Sequence, residues 1–342
     1  MASSQPSDSS RHSSTVTPPR VAVIGAGLSG LTLARFLTET GFPVKVFDKG
    51  RSPAGRMSTR RGDGGTYDHG AQYFTARDPG FQRMVRTWVE RGIAAEWRGR
   101  FGSLEDGTVT PGSEDPVRYV GVPGMSAVAQ GLASGVDVRC GVRVEHVRRE
   151  GAAWALASDA GEALGTFEVV VAAVPAPQAV PLLSGAPGLA ARAAGVVMEP
   201  CWAVMMELEA PVPLPLDGVF VQGSPLSWAA RDSSKPGRSA GERWVLHAAP
   251  EFTREHLEEA PEAVAPLLVE AFSRAARLEL RPREAVAHRW RYARAEPPLT
   301  EGALFDAERG LGACGDWCAG SRVEGAWLSG VALSRKIALL QR

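Results

Sequence analysis

The stretch Val21–Gly50, VAVIGAGLSGLTLARFLTETGFPVKVFDKG, decides the fold of this chain. It opens with Val21–Ile24, whose β-branched residues and lack of polar interruption are typical of a strand buried on both faces. Gly25, Gly27 and Gly30 follow with the spacing Gly-x-Gly-x-x-Gly. The first glycine permits a tight turn, the second lets the backbone approach a pyrophosphate, and the third lets the next helix pack close to the strand. The pattern predicts that the N-terminus of this helix faces phosphates, because its free N–H groups favour an anion.

A second predicted strand, Val44–Phe47, ends at Asp48. This carboxylate lies close to the separation of about 20 residues at which an acidic residue accepts a hydrogen bond from a ribose hydroxyl. Strand, glycine turn, helix, second strand and terminal acid together indicate a dinucleotide site rather than a βαβ unit that binds nothing. The glycine pattern alone does not distinguish FAD from NAD(P).

The composition is that of a globular protein with a substantial core, because 44% of its 342 residues are hydrophobic and 22% are charged. The formal net charge is zero, so the charge balance gives no reason to expect nucleic acid or an anionic membrane as a partner. The longest apolar runs, such as Val169–Val174, are far too short to span a bilayer. We therefore expect no membrane span and no nucleic-acid partner.

The four cysteines, Cys140, Cys201, Cys314 and Cys318, are too sparse for a disulfide scaffold. Their use indicates a reducing, cytoplasmic compartment. The last two are four positions apart, which is compatible with a redox pair or with two small residues packed in a crowded loop. No histidine cluster has the spacing of a zinc site, so we predict no metal.

Downstream, hydrophobic periodicity predicts a helix over Arg77–Arg98 and another over Pro261–Leu278. Val136–Val147, Ala152–Ala157 and Phe167–Val174 are separated by turn-rich breaks and predict a β-meander. Further strands are predicted at Trp202–Glu209, Gly218–Gln222, Ser227–Arg231, Arg243–Ala248 and Ala285–Ala293.

The segment around Arg51–Arg56, rich in Gly, Ser and Pro, predicts an irregular loop that leaves the second strand towards the cofactor. Arg56 is expected to contact the pyrophosphate, because a guanidinium gives paired hydrogen bonds to phosphate oxygens. Arg60 and Arg61 are expected either to face an anionic substrate or to be solvated.

At Asp68–Thr75, DHGAQYFT, the sequence resembles the renalase family, within the wider group of FAD-dependent amine oxidase-like flavoproteins. The resemblance covers most of Arg20–Arg342 and leaves out Met1–Pro19, a Ser-, Thr- and Pro-rich segment that is predicted to be a disordered tail. The motifs that carry it are GAGLSG at Gly25–Gly30, FDKG at Phe47–Gly50, GRMSTR at Gly55–Arg60, DHGAQYFT itself, GVPGMSAVAQGL at Gly121–Leu132, VVVAAVPAPQA at Val169–Ala179, and the C-terminal run Leu311–Leu340.

The resemblance implies an α/β fold in which a Rossmann-like FAD-binding domain with a β-meander interlocks with an α+β substrate domain built on a mixed sheet. Residues 20–81, 128–182 and 296–342 are expected to form the discontinuous FAD-binding domain. Residues 82–127 and 183–295 are expected to form the substrate domain.

A second flavin element is implied at the C-terminal end. Asp316 is expected to accept hydrogen bonds from the ribityl chain or to lie near the pyrophosphate. The helix that begins near Glu324 is expected to point its N-terminus at flavin N1 and the C2 carbonyl, where reduced flavin gains negative charge. An ordinary C-terminal helix is the alternative. The presence of this C-terminal element in a chain that also carries the Gly25–Gly30 motif favours FAD over NAD.

The site residues implied by the resemblance fall into two groups. Tyr73, Gln72 and His247 are expected to be the catalytic residues of the substrate cavity, although a lone histidine is often structural. Trp228 and Trp290 are expected either to wall a flat ligand or to belong to the core. The expected cofactor-binding residues are Gly25, Ala26, Gly27, Leu28, Ser29, Gly30, Asp48, Lys49, Gly55, Arg56, Met57, Gly70, Ala71, Gln72, Val144, Gly315, Asp316, Glu324, Gly325 and Ala326.

The implied activity is oxidation of aberrant dihydronicotinamide dinucleotides, the 2- and 6-dihydro isomers of NAD(P), with hydride passing to flavin N5 and O2 giving H2O2 and NAD(P)+. Such a substrate already carries a hydridic C–H bond, so no strong base is needed. An amine oxidase or desaturase on the same scaffold is the alternative, and the absence of a lysine from an obvious active-site stretch counts against it. A non-catalytic flavin-bound sensor is a third hypothesis.

Overall fold

The protein is described by a computed structural model that covers residues 17–113 and 115–341. Most of the predicted disordered tail therefore lies outside the described residues. Strands are numbered β1–β20 and helices α1–α8 along this part of the chain. Within it, no helix is both long enough and apolar enough to cross a membrane.

A six-stranded sheet carries the predicted dinucleotide unit at its centre. Its order is β19-β20-β13-β1-β2-β9, with parallel pairing except between β19 and β20. The central strand is completely buried, as expected for a parallel strand covered on both faces. The strands are β1 (Val21–Ile24), β2 (Val44–Asp48), β9 (Asp137–Cys140), β13 (Val169–Ala172), β19 (Leu304–Asp306) and β20 (Leu311–Ala313).

Helix α1 (Leu28–Glu39) lies against the C-terminal helix α8 (Val323–Ala338). Gly330 allows their close approach, because a Cβ at this position would overlap the Ser29 carbonyl oxygen. The two ends of the chain therefore pack together over one sheet. The remaining helices of this half are α3 (Ser126–Ala133), α4 (Ala176–Leu182) and α5 (Pro187–Ala194).

A three-stranded antiparallel meander is present, but the predicted run Phe167–Val174 is not one of its strands, because it forms β13 of the six-stranded sheet and the third meander strand is Ala163–Phe167. The meander strands are β10 (Val144–Glu150), β11 (Ala153–Ser158) and β12 (Ala163–Phe167). The run Val136–Val147 is divided, because its first part forms β9 in the larger sheet and its second part begins the meander. Phe167 packs edge-on against Phe47 at 6.1 Å and joins the two sheets.

The second half is built on a seven-stranded mixed sheet of order β18-β14-β17-β16-β15-β6-β7, in which β15 and β6 pair in parallel. Helix α7 (Pro261–Ala276) covers one face, and Phe272 packs against Trp244 at 5.1 Å. The predicted fold class is therefore confirmed. The strands are β6 (Phe101–Glu105), β7 (Thr108–Pro111), β14 (Met198–Leu208), β15 (Gly218–Val221), β16 (Leu226–Arg231), β17 (Glu242–Ala248) and β18 (Pro282–Ala295), and α6 (Pro250–Glu255) follows β17.

The single helix predicted over Arg77–Arg98 is wrong at its C-terminal end. Helix α2 (Pro79–Glu90) is capped by Asp78, which accepts from two backbone N–H groups, and it ends before Gly92 at φ +69°. The chain then forms β5 (Ala94–Glu96), which pairs with β8 (Tyr119–Gly121). The left-handed glycine ends the helix although apolar residues continue beyond it.

A hairpin leads from the arginine loop towards the second half of the molecule. Its strands are β3 (Thr59–Gly62) and β4 (Gly65–Asp68), and Arg60 pairs with Tyr67 across them. Asp68 ends β4 and begins the DHGAQYFT loop. The hairpin therefore sets the position of that loop between the two large sheets.

Candidate functional site

The glycine turn after β1 has the geometry of a phosphate cradle. Gly25 has φ +115°, and a Cβ at Gly30 would overlap the Gly25 carbonyl oxygen, so both positions need glycine. Gly27 directly precedes α1 and no side chain caps the helix, which leaves the N–H groups of its first turn available. Asp48 closes the turn from the neighbouring strand, because Oδ2 accepts from Ala26 N at 2.5 Å and Oδ1 accepts from Gly50 N at 2.6 Å.

The arginine loop lies on this turn and also reaches the C-terminal segment. Ala54 N donates to the Ala26 carbonyl at 3.2 Å, which holds the loop beside the glycines. The Arg56 guanidinium then pairs with both carboxylate oxygens of Asp316, at 2.6 and 3.0 Å, and donates to the Ala293 carbonyl at 2.9 Å. Asp316 follows β20 and is only 7% exposed. The two predicted flavin elements therefore meet at one ion pair.

The C-terminal motif contributes mainly backbone and packing contacts. Gly315 N donates to Ser329 Oγ at 2.9 Å, which ties the turn after β20 to helix α8. Glu324 Oε1 accepts from Arg77 N and Asp78 N at 2.7 and 2.6 Å, so this carboxylate fixes the segment that leads into α2. Gly325 follows in the first turn of α8, where a Cβ would overlap the Gly320 carbonyl oxygen.

Two clefts flank the start of α8. One, of about 330 Å³, includes Arg294, Arg322 and Gly325, and the other, of about 710 Å³, includes Trp327 and Arg335. Both are also lined by Ala319, Gly320, Pro298 and Leu328, so the two clefts adjoin each other. Both reach the loop that leads into α8, the segment predicted to face the flavin.

The DHGAQYFT loop packs directly on the arginine loop. Ala71 N donates to the Arg56 carbonyl at 2.9 Å, and a Cβ at Gly70 would overlap the same oxygen. Gln72 is buried, and its amide nitrogen donates to the carbonyls of Asp68 and Gly70. The structure thereby brings the predicted residues of both loops together.

Three histidines and a tryptophan form a cluster behind this loop. His69 stacks on Trp290 with ring centroids 5.0 Å apart, and His288 meets the two rings edge-on at 4.7 and 4.5 Å. Trp290 Nε1 and His247 Nε2 both point at the His69 carbonyl oxygen, at 2.9 and 3.2 Å. His247 Nε2 also lies 3.5 Å from Gln72 Nε2, so this ring nitrogen faces both a carbonyl oxygen and an amide nitrogen of the loop.

Burial makes this cluster a weakly basic environment. Burial lowers the pKa of His69 to about 3, and the neighbouring His288 and Arg60 lower it further. Burial also lowers the pKa of His247 to about 4, and it lowers the pKa of His288 together with the Arg60 charge. At neutral pH the three imidazoles are therefore uncharged and are poor proton acceptors.

A second group, which we call the buried charge cluster, consists of Asp68, Asp232, Lys235 and Arg238. Lys235 Nζ lies 2.5 Å from Asp232 Oδ1 and 3.4 Å from Asp68 Oδ2, and Arg238 also pairs with Asp68. All four side chains are completely buried. Although burial opposes the ionisation of Asp68, the two cations hold the pKa of that carboxyl below its usual value. Lys235 also donates to Gln72 Oε1 at 3.2 Å, which orients a predicted catalytic residue.

The remaining predicted residues occupy separate positions. Tyr73 lies against Trp228 and Trp97, with ring centroids 5.5 and 6.3 Å apart. Val144 is buried and packs in the same apolar cluster as Phe47 at the end of β2. Four further predicted cofactor-binding residues lie in or beside the turns already described, namely Leu28, Ser29, Met57 and Ala326. Lys49, in contrast, is exposed.

The cysteine pair is packed inside the protein. Cys314 and Cys318 are both fully buried and free. Burial raises the pKa of Cys314 to about 12 and raises that of Cys318 as well, so neither thiol ionises near neutral pH. This arrangement favours the packing interpretation of the pair.

Sequence reasoning missed Lys235, Asp232, Arg238 and Arg118. The first three follow β16 within RDSSKPGR, whose polar and proline-containing pattern is that of an ordinary turn. Their burial against Asp68 depends on contacts across more than 160 positions, such as the separation of 170 between Arg238 and Asp68. No local pattern could have revealed this contact.

Comparisons with known proteins fit this geometry. A sequence profile described as NAD(P)-binding Rossmann-like domain matches residues 23–88, and one described as flavin containing amine oxidoreductase matches residues 101–338. Fold and matches together define an FAD-dependent oxidoreductase. Within this class the chain belongs to the family of flavin-containing amine oxidoreductases, because the second match spans more than half of its 342 residues.

Solved structures share the fold over nearly the whole chain. Reduced UDP-galactopyranose mutase superposes with a TM-score of 0.75 at 12% identity and covers 95% of each chain. Putrescine oxidase bound to putrescine gives 0.70 at 14% identity, over 94% of this chain and 99% of the other. An oxidoreductase from Methanosarcina mazei gives 0.68 at 14% identity, over 92% and 100%. At these identities the likeness concerns the fold alone.

Curated relatives match over short segments. The lysine-specific histone demethylase 1 homolog 1 of Arabidopsis thaliana is 50% identical over 50 residues, which are 15% of this chain and 6% of that protein. The L-amino acid oxidase of Cerastes cerastes is 37% identical over 78 residues, or 22% of this chain and 14% of that protein. The chain thus spans only a small part of the curated relatives it matches.

Proposed function

We propose that this protein is an FAD-dependent oxidase of dihydronicotinamide dinucleotides, the 2- and 6-dihydro isomers of NAD(P). Bound FAD would take up the hydride of such a substrate, and the electron pair would pass to O2 with uptake of one proton from solvent, giving H2O2 and NAD(P)+. The proposal rests on the sequence resemblance to the renalase family and on the chemistry of the residues around the DHGAQYFT loop.

The residues present fit the diphosphate of FAD. The uncapped first turn of α1 offers N–H donors, and the Arg56 guanidinium adds positive charge beside it. Asp48 orients the glycine turn, and Asp316 holds Arg56 in place. We propose that these groups bind and orient the dinucleotide and that the first turn of α8 stabilises negative charge on the flavin ring.

The observation that carries the proposal is the weak basicity of the predicted cavity. His69 and His247, with pKa values of about 3 and 4, are poor acceptors for a substrate proton at neutral pH. The Lys235 side chain is engaged by Asp232, whose Oδ1 lies 2.5 Å from Nζ. A dihydropyridine ring needs no proton removal before hydride loss, so this environment suits it. We propose that Trp290, which is only partly buried and stacks on His69 at 5.0 Å, helps to position such a ring.

The test is anaerobic mixing of the purified, FAD-loaded protein with 6-dihydro-NAD, followed by admission of air. We expect rapid loss of the flavin absorbance, its return in air and formation of H2O2. NADH, the 4-dihydro isomer, is the matched control and should react much more slowly. Bleaching by monoamines or amino acids but not by the dihydro isomers would overturn the proposal, as would a colourless protein that does not take up FAD.

An amine or amino-acid oxidase is the second candidate function. Lys235 favours it, because its ammonium lies completely buried and 3.2 Å from Gln72 Oε1, close to a predicted catalytic residue. A lysine near the flavin is frequent in the wider amine oxidase group. Steady-state turnover with a panel of amines, amino acids and dihydro isomers decides between the two functions, since each predicts a different active substrate.

A further inference from the structure

Arg118 is a buried cation for which the described part of the chain provides no hydrogen-bond acceptor. It directly precedes β8, and its carbonyl accepts from Trp97 N at 2.8 Å, so its backbone is fixed. The residue is 9% exposed, and its Nε and Nη1 atoms are buried without a partner. A buried charge that is not paired is costly, so its presence calls for a physical explanation.

Aromatic rings account for part of the stabilisation but leave the donors free. The guanidinium carbon lies 4.0 Å from the ring centroid of Phe101 and 5.4 Å from that of Tyr73. The ring faces attract the charge. The N–H groups of a guanidinium lie in its own plane and point outward in a fork, so a ring below that plane does not accept them.

A second donor without a partner lies on the same tyrosine. Trp228 is 6% exposed, its Nε1 is buried without an acceptor among the described residues, and its ring lies 5.5 Å from Tyr73. The neighbouring Trp97 differs, because its Nε1 donates to Ser234 Oγ at 3.1 Å. Two of the residues that carry buried unpaired donors therefore lie beside Tyr73. We call Arg118, Tyr73, Phe101 and Trp228 the Arg118 cluster.

We infer that the Arg118 cluster is a binding subsite for an oxyanion of the substrate, a carboxylate or a phosphate. Such a group supplies the acceptor oxygens that Arg118 and Trp228 lack, and the guanidinium fork matches its paired oxygens. The inference rests on the proposed function in one respect, namely that Tyr73 and Gln72 face the substrate. Gln72 precedes Tyr73 in the chain and accepts from Lys235 of the buried charge cluster, whose Nζ also lies 5.4 Å from the Trp97 ring.

The subsite narrows the substrate class. A dihydronicotinamide dinucleotide brings a diphosphate, and an amino acid brings a carboxylate, so either supplies the oxyanion. A neutral amine or a hydrocarbon leaves the buried donors unpaired and is disfavoured, because a site built to bond a group rejects a ligand that lacks it. Arg118 thus acts in substrate recognition, whichever oxidation the enzyme performs.

The test measures binding of small aromatic probes to the FAD-loaded protein by calorimetry and by quenching of tryptophan fluorescence. Benzoate carries a carboxylate, phenyl phosphate carries a phosphate, and benzyl alcohol is the neutral probe. We expect Arg118→Gln to weaken binding of the preferred anion by about tenfold to a hundredfold, since a charged hydrogen bond is lost. Binding of benzyl alcohol should change less than twofold.

Three further variants sharpen the result. Arg118→Lys keeps the charge without the fork and should recover part of the affinity. Trp228→Phe keeps the ring but removes its N–H, and we expect a weakening of severalfold that does not depend on the folding of any Arg118 variant. Arg98→Gln is the matched control, because the Arg98 side chain lies in the same segment but is 83% exposed, and it should bind like the parent protein.

The outcomes separate this inference from the proposed function. Loss of benzoate binding in Arg118→Gln assigns a carboxylate to the subsite, and loss of phenyl phosphate binding assigns a phosphate. Equal binding of anionic and neutral probes, or anion binding that survives both Arg118→Gln and Trp228→Phe, would overturn the inference. Probe binding requires no turnover, so an intact subsite in a protein that does not oxidise dihydro isomers would count against the proposed function alone.

Discussion

Two buried groups of charge contact the neighbouring residues Gln72 and Tyr73, and they differ in whether their cations are paired with carboxylates. The buried charge cluster contains two carboxylates and two cations, all fully enclosed and in mutual contact. The Arg118 cluster contains one cation, aromatic rings and no acceptor for Nε and Nη1 among the described residues. In the buried charge cluster every cation has a carboxylate partner, although Asp232 Oδ2 and Arg238 Nε have no hydrogen-bond partner among the described residues. An unbalanced set of charges keeps its donors available for a ligand.

The physical reason for the difference is the cost of desolvation. Each buried ion loses its hydration, and only close opposite charges and hydrogen bonds offset that loss. Asp68 shows what this requires, because its carboxylate also accepts from Met125 N at 2.9 Å and from Thr59 Oγ1 at 2.8 Å. We therefore expect the two clusters to respond in opposite ways to the removal of a charge.

The largest effect is expected from Asp68→Asn. The amide keeps an oxygen for Met125 N and Thr59, but Lys235 and Arg238 lose the charge that compensates them. Removal of one partner from a buried ion pair costs about 3–5 kcal/mol of the free energy of unfolding. Urea denaturation measures this loss.

The matched control is Asp137→Asn, since the Asp137 side chain is 65% exposed and lies 4.0 Å from Lys45. It should change the free energy of unfolding by less than about 1 kcal/mol. Equal effects of the two substitutions would show that Asp68 is no part of a stabilising network.

A double-mutant cycle sharpens the comparison. Lys235→Met leaves Asp232 buried without its cation at 2.5 Å, and we expect a loss of about 3 kcal/mol. Adding Asp232→Asn removes the uncompensated charge, so the double variant should recover about 1–3 kcal/mol relative to the additive value. Urea denaturation of the four proteins gives this coupling. Strict additivity would mean that the two side chains do not stabilise each other.

The sequence was sufficient for the part of the site built from local segments. The glycine turn, Asp48 and the Arg56 loop lie within one βαβ unit, where a short motif determines both backbone conformation and chemistry. The C-terminal motif was also recognisable, and the structure brings Asp316 to Arg56 although they are 260 positions apart. The roles assigned to these residues stay predictions, as do the domain boundaries.

The sequence was insufficient wherever the site depends on long-range packing. Lys235 is buried because the turn after β16 packs against Asp68 at the end of β4. These two segments meet only in the folded protein. Arg118 presents the same difficulty, because its lack of an acceptor is a property of its surroundings and not of its neighbours in the chain. The end of α2 was missed for a local reason. Apolar residues continue beyond Gly92, although the helix ends before it.

The histidine cluster predicts a loss of stability in acid. The ordinary pKa of histidine is 6.5, whereas burial lowers that of His69 to about 3 and that of His247 to about 4. Between pH 6.5 and 4 the unfolded chain binds protons that the folded protein does not, so stability is complete above pH 6.5 and falls as the pH falls. Each histidine contributes about 1.4 kcal/mol per pH unit in this window.

Urea denaturation at several pH values measures the slope. His69→Gln should reduce it by the contribution of one histidine, whereas His146→Gln, at an exposed position of β10, should leave it unchanged. A slope that is identical in the parent protein and in His69→Gln would contradict the burial of a neutral imidazole at this position.

The smallest effect on stability is expected from Arg118→Met, although it removes a buried charge as Lys235→Met does. Methionine retains an apolar stem against Phe101 and Tyr73, and the cation–π attraction of about 0.5–2 kcal/mol that is lost is offset by the removed cost of an unpaired charge. The free energy of unfolding without ligand should therefore stay within about 1 kcal/mol of the parent value. Urea denaturation in a buffer without carboxylate or phosphate measures it. A loss of about 3 kcal/mol or more would mean that the guanidinium already has a structural partner, and the two clusters would then be alike.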